Sequence, residues 1–252
     1  MSDAKTSRTK AIGILGGMGP EATAELYLRI IRIFQERFGA VYDSDFPEII
    51  VLSLPIPDVV EERGDRRKIE EMLAEGAKRL EAVGANFIAV PCNTAAFFAS
   101  EMREAVKVPV IDIVREAANE ALKMKLETVG LLGTRMTIRS RIYELFLKDV
   151  KVLTLDESGQ EETTGIILDV LAGRKSADSK KKLLESIRRL KRFGAEKVIL
   201  GCTELPLLVK GGADVLDTLD ILAESAVRMA SGSTSMAAQA DARQDIKKPE
   251  EL

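Results

Sequence analysis

Gly84-Ala85-Asn86-Phe87-Ile88-Ala89-Val90-Pro91-Cys92-Asn93-Thr94 and Gly194-Ala195-Glu196-Lys197-Val198-Ile199-Leu200-Gly201-Cys202-Thr203-Glu204 repeat one pattern. Each begins with Gly-Ala, continues through a short apolar run and ends on a cysteine followed by polar residues. The cysteine falls eight positions after the glycine in both, and these are the only two cysteines among 252 residues. A glycine in that place closes a crossover helix, and the apolar run after it reads as a buried parallel strand. Each thiol therefore lies at the C-terminal end of a strand, where open α/β sheets collect their ligands.

Outward from these two segments the chain alternates β-rich runs with longer amphipathic stretches, the pattern of parallel strands joined by helices. Strands are expected over 11–15, 48–54, 86–90, 108–111, 128–132, 151–153, 197–200 and 214–216. Helices are expected over 21–38, 65–83, 95–106, 113–123, 138–148, 161–172, 177–193 and 219–230, from apolar residues at three- and four-residue spacing. Each half opens alike, with Ile12-Gly13-Ile14-Leu15-Gly16-Gly17-Met18 in the first and Val129-Gly130-Leu131-Leu132-Gly133-Thr134-Arg135 in the second. From Gly16 to Cys92 is 76 positions and from Gly133 to Cys202 is 69. The near match points to an internal duplication. The fold class is thus α/β, with two pseudo-symmetric lobes, each a parallel sheet flanked by helices, and a site in the cleft between them. The expected division is a flexible N-terminus (1–10), lobe 1 (11–112, with Cys92), lobe 2 (113–217, with Cys202), a C-terminal helix packing on lobe 1 (218–230) and a disordered tail (231–252).

Composition narrows the function. The chain is 46% apolar and 31% charged, with no apolar run near the ~20 residues of a membrane span. Nor does the start of the chain form a secretory signal, so a cytoplasmic protein is expected. A net charge of −3, three Tyr, eight Phe and no Trp argue against nucleic acid. Two cysteines without a histidine make neither a disulfide framework nor a zinc site, and no metal is expected.

The glycine-rich turn Gly13–Thr23 offers backbone N–H groups to an anion but carries neither a dinucleotide fingerprint nor a phosphate-loop Lys. Its alternatives are a carboxylate site or a tight turn that needs glycine for packing. With no histidine, a thiol-hydrolase mechanism lacks its base. Two opposed thiols can instead remove a proton from one face of a carbon and return one to the other, which is two-base racemisation. Amide dipoles at the helix expected after each thiol favour thiolate over thiol.

Gly16-Gly17-Met18-Gly19-Pro20-Glu21-Ala22-Thr23, Pro91-Cys92-Asn93-Thr94-Ala95, Leu132-Gly133-Thr134-Arg135-Met136-Thr137 and Gly201-Cys202-Thr203-Glu204-Leu205 resemble, in order, the signatures of the aspartate/glutamate racemase family, its aspartate racemase branch in particular. The resemblance covers roughly residues 11–230. It implies a racemase that interconverts L- and D-aspartate or a related amino acid without pyridoxal phosphate or any other cofactor, acting as a homodimer on a small-molecule substrate. It further implies that Cys92 and Cys202 are the catalytic bases and that Met18, Gly19, Asn93, Thr94, Thr134 and Thr203 hold the substrate. Glu204, grouped with them, has two readings, a proton relay for Cys202 or an acid at a helix start.

Three departures from the family pattern bear on the substrate. Ala96, Val59 and Leu171 stand where a histidine, an arginine and a basic residue are common. A side-chain carboxylate in a partly buried cleft needs a cation, and Arg63, Arg66, Arg174 and Lys175 are the nearby candidates. Glutamate or a non-acidic amino acid, a decarboxylase or cis–trans isomerase of related fold, and a non-catalytic binding protein are the alternatives.

Overall fold

The structure, a computed structural model, describes residues 9–57, 65–209 and 211–232. Most of the expected N-terminal and C-terminal segments, together with Val59 and Arg63, lies outside the described residues. Among the described residues eight strands and eight α-helices follow one another close to the expected order: β1 (Ile12–Gly16), α1 (Pro20–Phe38), β2 (Ile49–Ser53), α2 (Arg66–Ala82), β3 (Phe87–Ala89), α3 (Ala99–Ala105), β4 (Val110–Ile111) and α4 (Ile113–Lys123), then β5 (Thr128–Gly133), α5 (Arg135–Arg139), β6 (Lys151–Leu153), α6 (Glu157–Leu171), α7 (Ala177–Arg192), β7 (Lys197–Gly201), β8 (Val215–Asp217) and α8 (Thr218–Ala230).

All pairings are parallel, and the two sheets share one order, β2-β1-β3-β4 and β6-β5-β7-β8. In each, the chain moves outward from the first strand in one direction and then returns to its other side. The crevice this leaves lies at the C-terminal ends of β1 and β3 in one lobe and of β5 and β7 in the other. The Gly16–Gly19 turn and Cys92 follow the first pair; Thr134 and Cys202 follow the second.

Strand side chains alternate between two cores. Ile12, Ile14, Phe87 and Ala89 of one sheet, and Val129, Leu131 and Ile199 of the other, face a common core filled by α1, α4 and α8. Leu15 and Ile88 face outward onto α2 and α3, and Leu132, Val198 and Leu200 face outward onto α6 and α7. The lobes thus share their central apolar layer. α8 packs on both α1 and α4.

Helix limits follow from caps. Asp65, Asp112, Asp156, Ser176 and Asp217 each accept a hydrogen bond from a backbone N–H of the turn they open. Asp156 starts α6 four residues before the periodicity predicts. Gly84 and Gly194, at φ 103° and 102°, close α2 and α7 in the left-handed region as expected.

The helix predicted over 138–148 does not form as such. Thr134 caps at the Thr137 N–H, starting α5 early, and Arg141 at φ 51° breaks it, leaving turns through residue 150. Nor does an α-helix follow either thiol directly: 3-10 turns at Thr94–Phe98 and Leu205–Leu207 take that place.

Candidate active site

Both thiols line one cavity of about 140 Å³ with Met18, Gly19, Asn93, Thr94, Thr134, Thr203 and Glu204, the residues grouped as catalytic or substrate-holding in the sequence. Ile56, Pro57 and Leu171 supply an apolar wall. Among the described lining residues the sole charged side chain is Glu204.

The turn after β1 is held by Thr23, whose hydroxyl accepts from Gly17 N–H and donates to Gly19 C=O, both at 3.0 Å. Gly19 is closely approached: a Cβ there would lie 2.6 Å from Leu171 Cδ2 and 3.0 Å from Glu204 Oε1, so those side chains would have to shift. Its N–H donates to Glu204 Oε1 at 3.2 Å, carrying lobe 1 onto lobe 2.

The two thiols have different partners. Cys92 Sγ accepts from Ala95 N–H at 3.4 Å. Cys202 Sγ donates to Glu204 Oε2 at 2.9 Å. Each residue is about 5% exposed and Glu204 3%. Burial, then the Glu204 charge, pushes the Cys92 thiol up to about 12, and the same two causes hold Cys202 well above the ordinary thiol range. Burial raises the Glu204 carboxyl as well. The depression expected from helix dipoles is therefore reversed. Short 3-10 turns align few peptide dipoles, and desolvation together with a neighbouring carboxylate outweighs them.

Hydroxyl and amide groups join the lobes across the cleft floor. Thr94 Oγ1 is 3.0 Å from Thr134 Oγ1, which is 3.0 Å from Thr137 Oγ1. Thr203 Oγ1 donates to Pro91 C=O at 3.1 Å. Asn93 Oδ1 accepts from Tyr143 OH at 2.7 Å, and its Nδ2 donates to Thr218 Oγ1 at 3.0 Å. Thr23 and Thr137 lie within the signatures quoted from the sequence, and the Thr134/Thr137 spacing is a visible signal for a cap; nothing in the residues around Tyr143 or Thr218 marks either as part of the site.

The three cationic candidates among the described residues are otherwise engaged. Arg66 pairs with Glu70 at 3.2 Å and lies over the Phe97 ring, Arg174 pairs with Asp169 at 2.8 Å, and Lys175 pairs with Glu21. Among the described residues no group of three or more Cys, Asp or Glu is placed to hold a metal ion, and no helix is long and apolar enough to cross a membrane.

The sequence profile of the Asp/Glu/Hydantoin racemase family matches residues 15–226 of this two-lobed α/β chain, which belongs to that family and is an amino-acid racemase, an isomerase. It is 29% identical over 219 residues to a broad-specificity amino-acid racemase of Bacillus subtilis, across 86% of this chain and 96% of the relative. Its fold matches an aspartate racemase homologue from Pyrococcus horikoshii (TM-score 0.73, 31% identity, 88% of this chain and 99% of the other). It also matches the aspartate racemase of Picrophilus torridus (TM-score 0.76, 25% identity, 88% and 94%).

Proposed function

We propose that the protein racemises an amino acid with an uncharged side chain by a two-base mechanism in which Cys92 and Cys202 serve opposite faces of the α-carbon. What carries this reading is the placement of two buried thiols, one from each lobe, on the wall of one cavity. One thiolate removes the α-proton while the other thiol donates its own, and the reverse reaction exchanges the roles. The hydroxyls of Thr94, Thr134 and Thr203 receive the α-carboxylate, and donors at that group stabilise the charge that develops when the α-proton leaves. Glu204 faces the ammonium group and takes up the Cys202 proton. The positive charge of that ammonium, seated in the same cavity as both thiols, favours the thiolate form directly once substrate is bound.

The side-chain preference rests on charge. An aspartate side chain would bring a second carboxylate beside buried Glu204 without a cation among the described lining residues, and like charges in a desolvated site are costly. Ile56, Pro57 and Leu171 offer apolar contact instead, in keeping with the broad specificity of the Bacillus relative. Aspartate is the second reading, favoured by the Picrophilus racemase. We further propose that catalysis proceeds without pyridoxal phosphate and that the protein is a cytoplasmic homodimer.

The test is incubation of single enantiomers of a panel of amino acids in deuterium oxide, without added cofactor, followed by measurement of α-deuteration and optical activity. Exchange with racemisation is expected, fastest for uncharged side chains. Absence of exchange with every amino acid would overturn the mechanism, and preference for aspartate would overturn only the substrate class.

A further inference from the structure

The residues flanking Cys92 are tied to lobe 2 on both sides. Ahead of it, Pro91 C=O accepts from Thr203 Oγ1, the neighbour of Cys202, at 3.1 Å. Behind it, the Asn93 side chain receives the Tyr143 hydroxyl and donates to Thr218, whose hydroxyl donates to Leu200 C=O at 2.9 Å, two residues before Cys202. Every bond in this chain points the same way, from Tyr143 through Asn93 and Thr218 to β7, and such chains polarise one another. Tyr143 is fully buried, and burial followed by the Asp112 charge holds it protonated as a donor. Tyr143 and Thr218 do not line the cavity.

We propose that Tyr143 and Thr218, acting through the Asn93 side chain, are positioning residues that set the gap between the two thiols. The proposal rests on the two-thiol reading above. A two-base racemase needs its donor poised on the far face at the moment the α-proton leaves, and small displacements cost heavily in rate. The commitment of Asn93 Oδ1 and one Nδ2 proton to this brace assigns that side chain to spacing the loops, leaving substrate contact mainly to the hydroxyl cluster.

The experiment compares Tyr143→Phe, Thr218→Val and Thr218→Ser with the unchanged protein in deuterium oxide, measuring kcat, KM, thermal midpoint and the deuterium content of recovered, non-inverted substrate. Tyr143→Phe and Thr218→Val are expected to lower kcat by roughly ten- to a hundredfold with KM little changed. They should also raise deuterium in the recovered enantiomer, because a misplaced donor lets the first thiol exchange with solvent and return a deuteron to the same face. Thr218→Ser keeps the hydroxyl and should restore kcat. Because both variants loosen one chain, their combined loss should fall short of the product of the single losses. Unchanged kcat, or a loss that tracks the thermal midpoint with no rise in substrate deuteration, overturns the brace. Should the Cys92→Ser and Cys202→Ser proteins both remain fully active, the two-thiol reading itself has failed instead.

Discussion

The two lobes repeat one strand order and place a thiol at equivalent points, yet the thiols are held in opposite senses. Cys92 accepts from the backbone, at Ala95 N–H, whereas Cys202 donates a hydrogen bond to Glu204. The difference lies in the residues after each cysteine, Asn93-Thr94 in one lobe and Thr203-Glu204 in the other. The shared strand order supplies the common geometry, and the residues after each cysteine make one thiol an acceptor and its counterpart a donor. The aspartates that open α4 and α8 diverge in the same manner. Asp112 pairs within its own lobe with Arg103 at 2.9 Å, while Asp217 pairs across the lobes with Arg29 at 2.7 Å.

The sharpest way to break the comparison is to replace each thiol singly. Cys92→Ser and Cys202→Ser should each lower racemisation by roughly 10³-fold or more, because a hydroxyl is a far weaker acid and loses the general acid–base step. Steady-state rates from both enantiomers measure this. If one variant kept full activity, the lobes would not share the work.

Next in size is the contrast between the paired aspartates. Arg29 is 9% exposed and bonds Asp217, Asp220 and Glu25, so Arg29→Ala should cost about 3 to 5 kcal/mol by stranding a buried carboxylate. Arg103 is 24% exposed, and Arg103→Ala should cost only about 1 to 2 kcal/mol. Denaturant unfolding of the two variants decides whether the inter-lobe pair matters more than the intra-lobe one.

Glu204→Gln tests the asymmetry of the thiols directly. It should lower kcat by about ten- to a hundredfold through loss of the proton acceptor. It should also move the titration of both thiols to lower pH, since the Glu204 charge raises each of them. Ultraviolet thiolate absorbance of the substrate-free protein reads the shift, and an upward movement would contradict it.

The smallest effect is on stability at alkaline pH. A folded-state thiol raised above its unfolded value of about 8.5 contributes stability that is intact below that pH and is lost as pH climbs toward the Cys92 value of about 12. The thermal midpoint should fall over that window, and less so in the Cys92→Ser/Cys202→Ser double variant.

Much of this was legible in the sequence. The eight strands came from short β-rich runs set between amphipathic stretches, and the two lobes from the similar openings of the halves and the repeated Gly-Ala-to-Cys spacing. Elements failed where a cap or backbone turn overrode periodicity, as at Thr134 and Arg141. The cavity's members were readable because each follows a strand end within a recognisable signature. The direction of the thiol shifts was not, since it depends on how deeply Cys92 and Cys202 lie and on where the Glu204 carboxylate points. Tyr143 lies fifty residues from Asn93 in sequence, in a segment whose pattern predicts only a helix.

Thiols held protonated by burial beside Glu204 carry a chemical consequence. Oxidants and electrophiles attack the thiolate, so this setting disfavours sulfenic acid formation and alkylation at both cysteines. On the proposed two-thiol mechanism an ammonium-bearing substrate raises that reactivity, and inactivation by an alkylating reagent should be faster during turnover than in its absence.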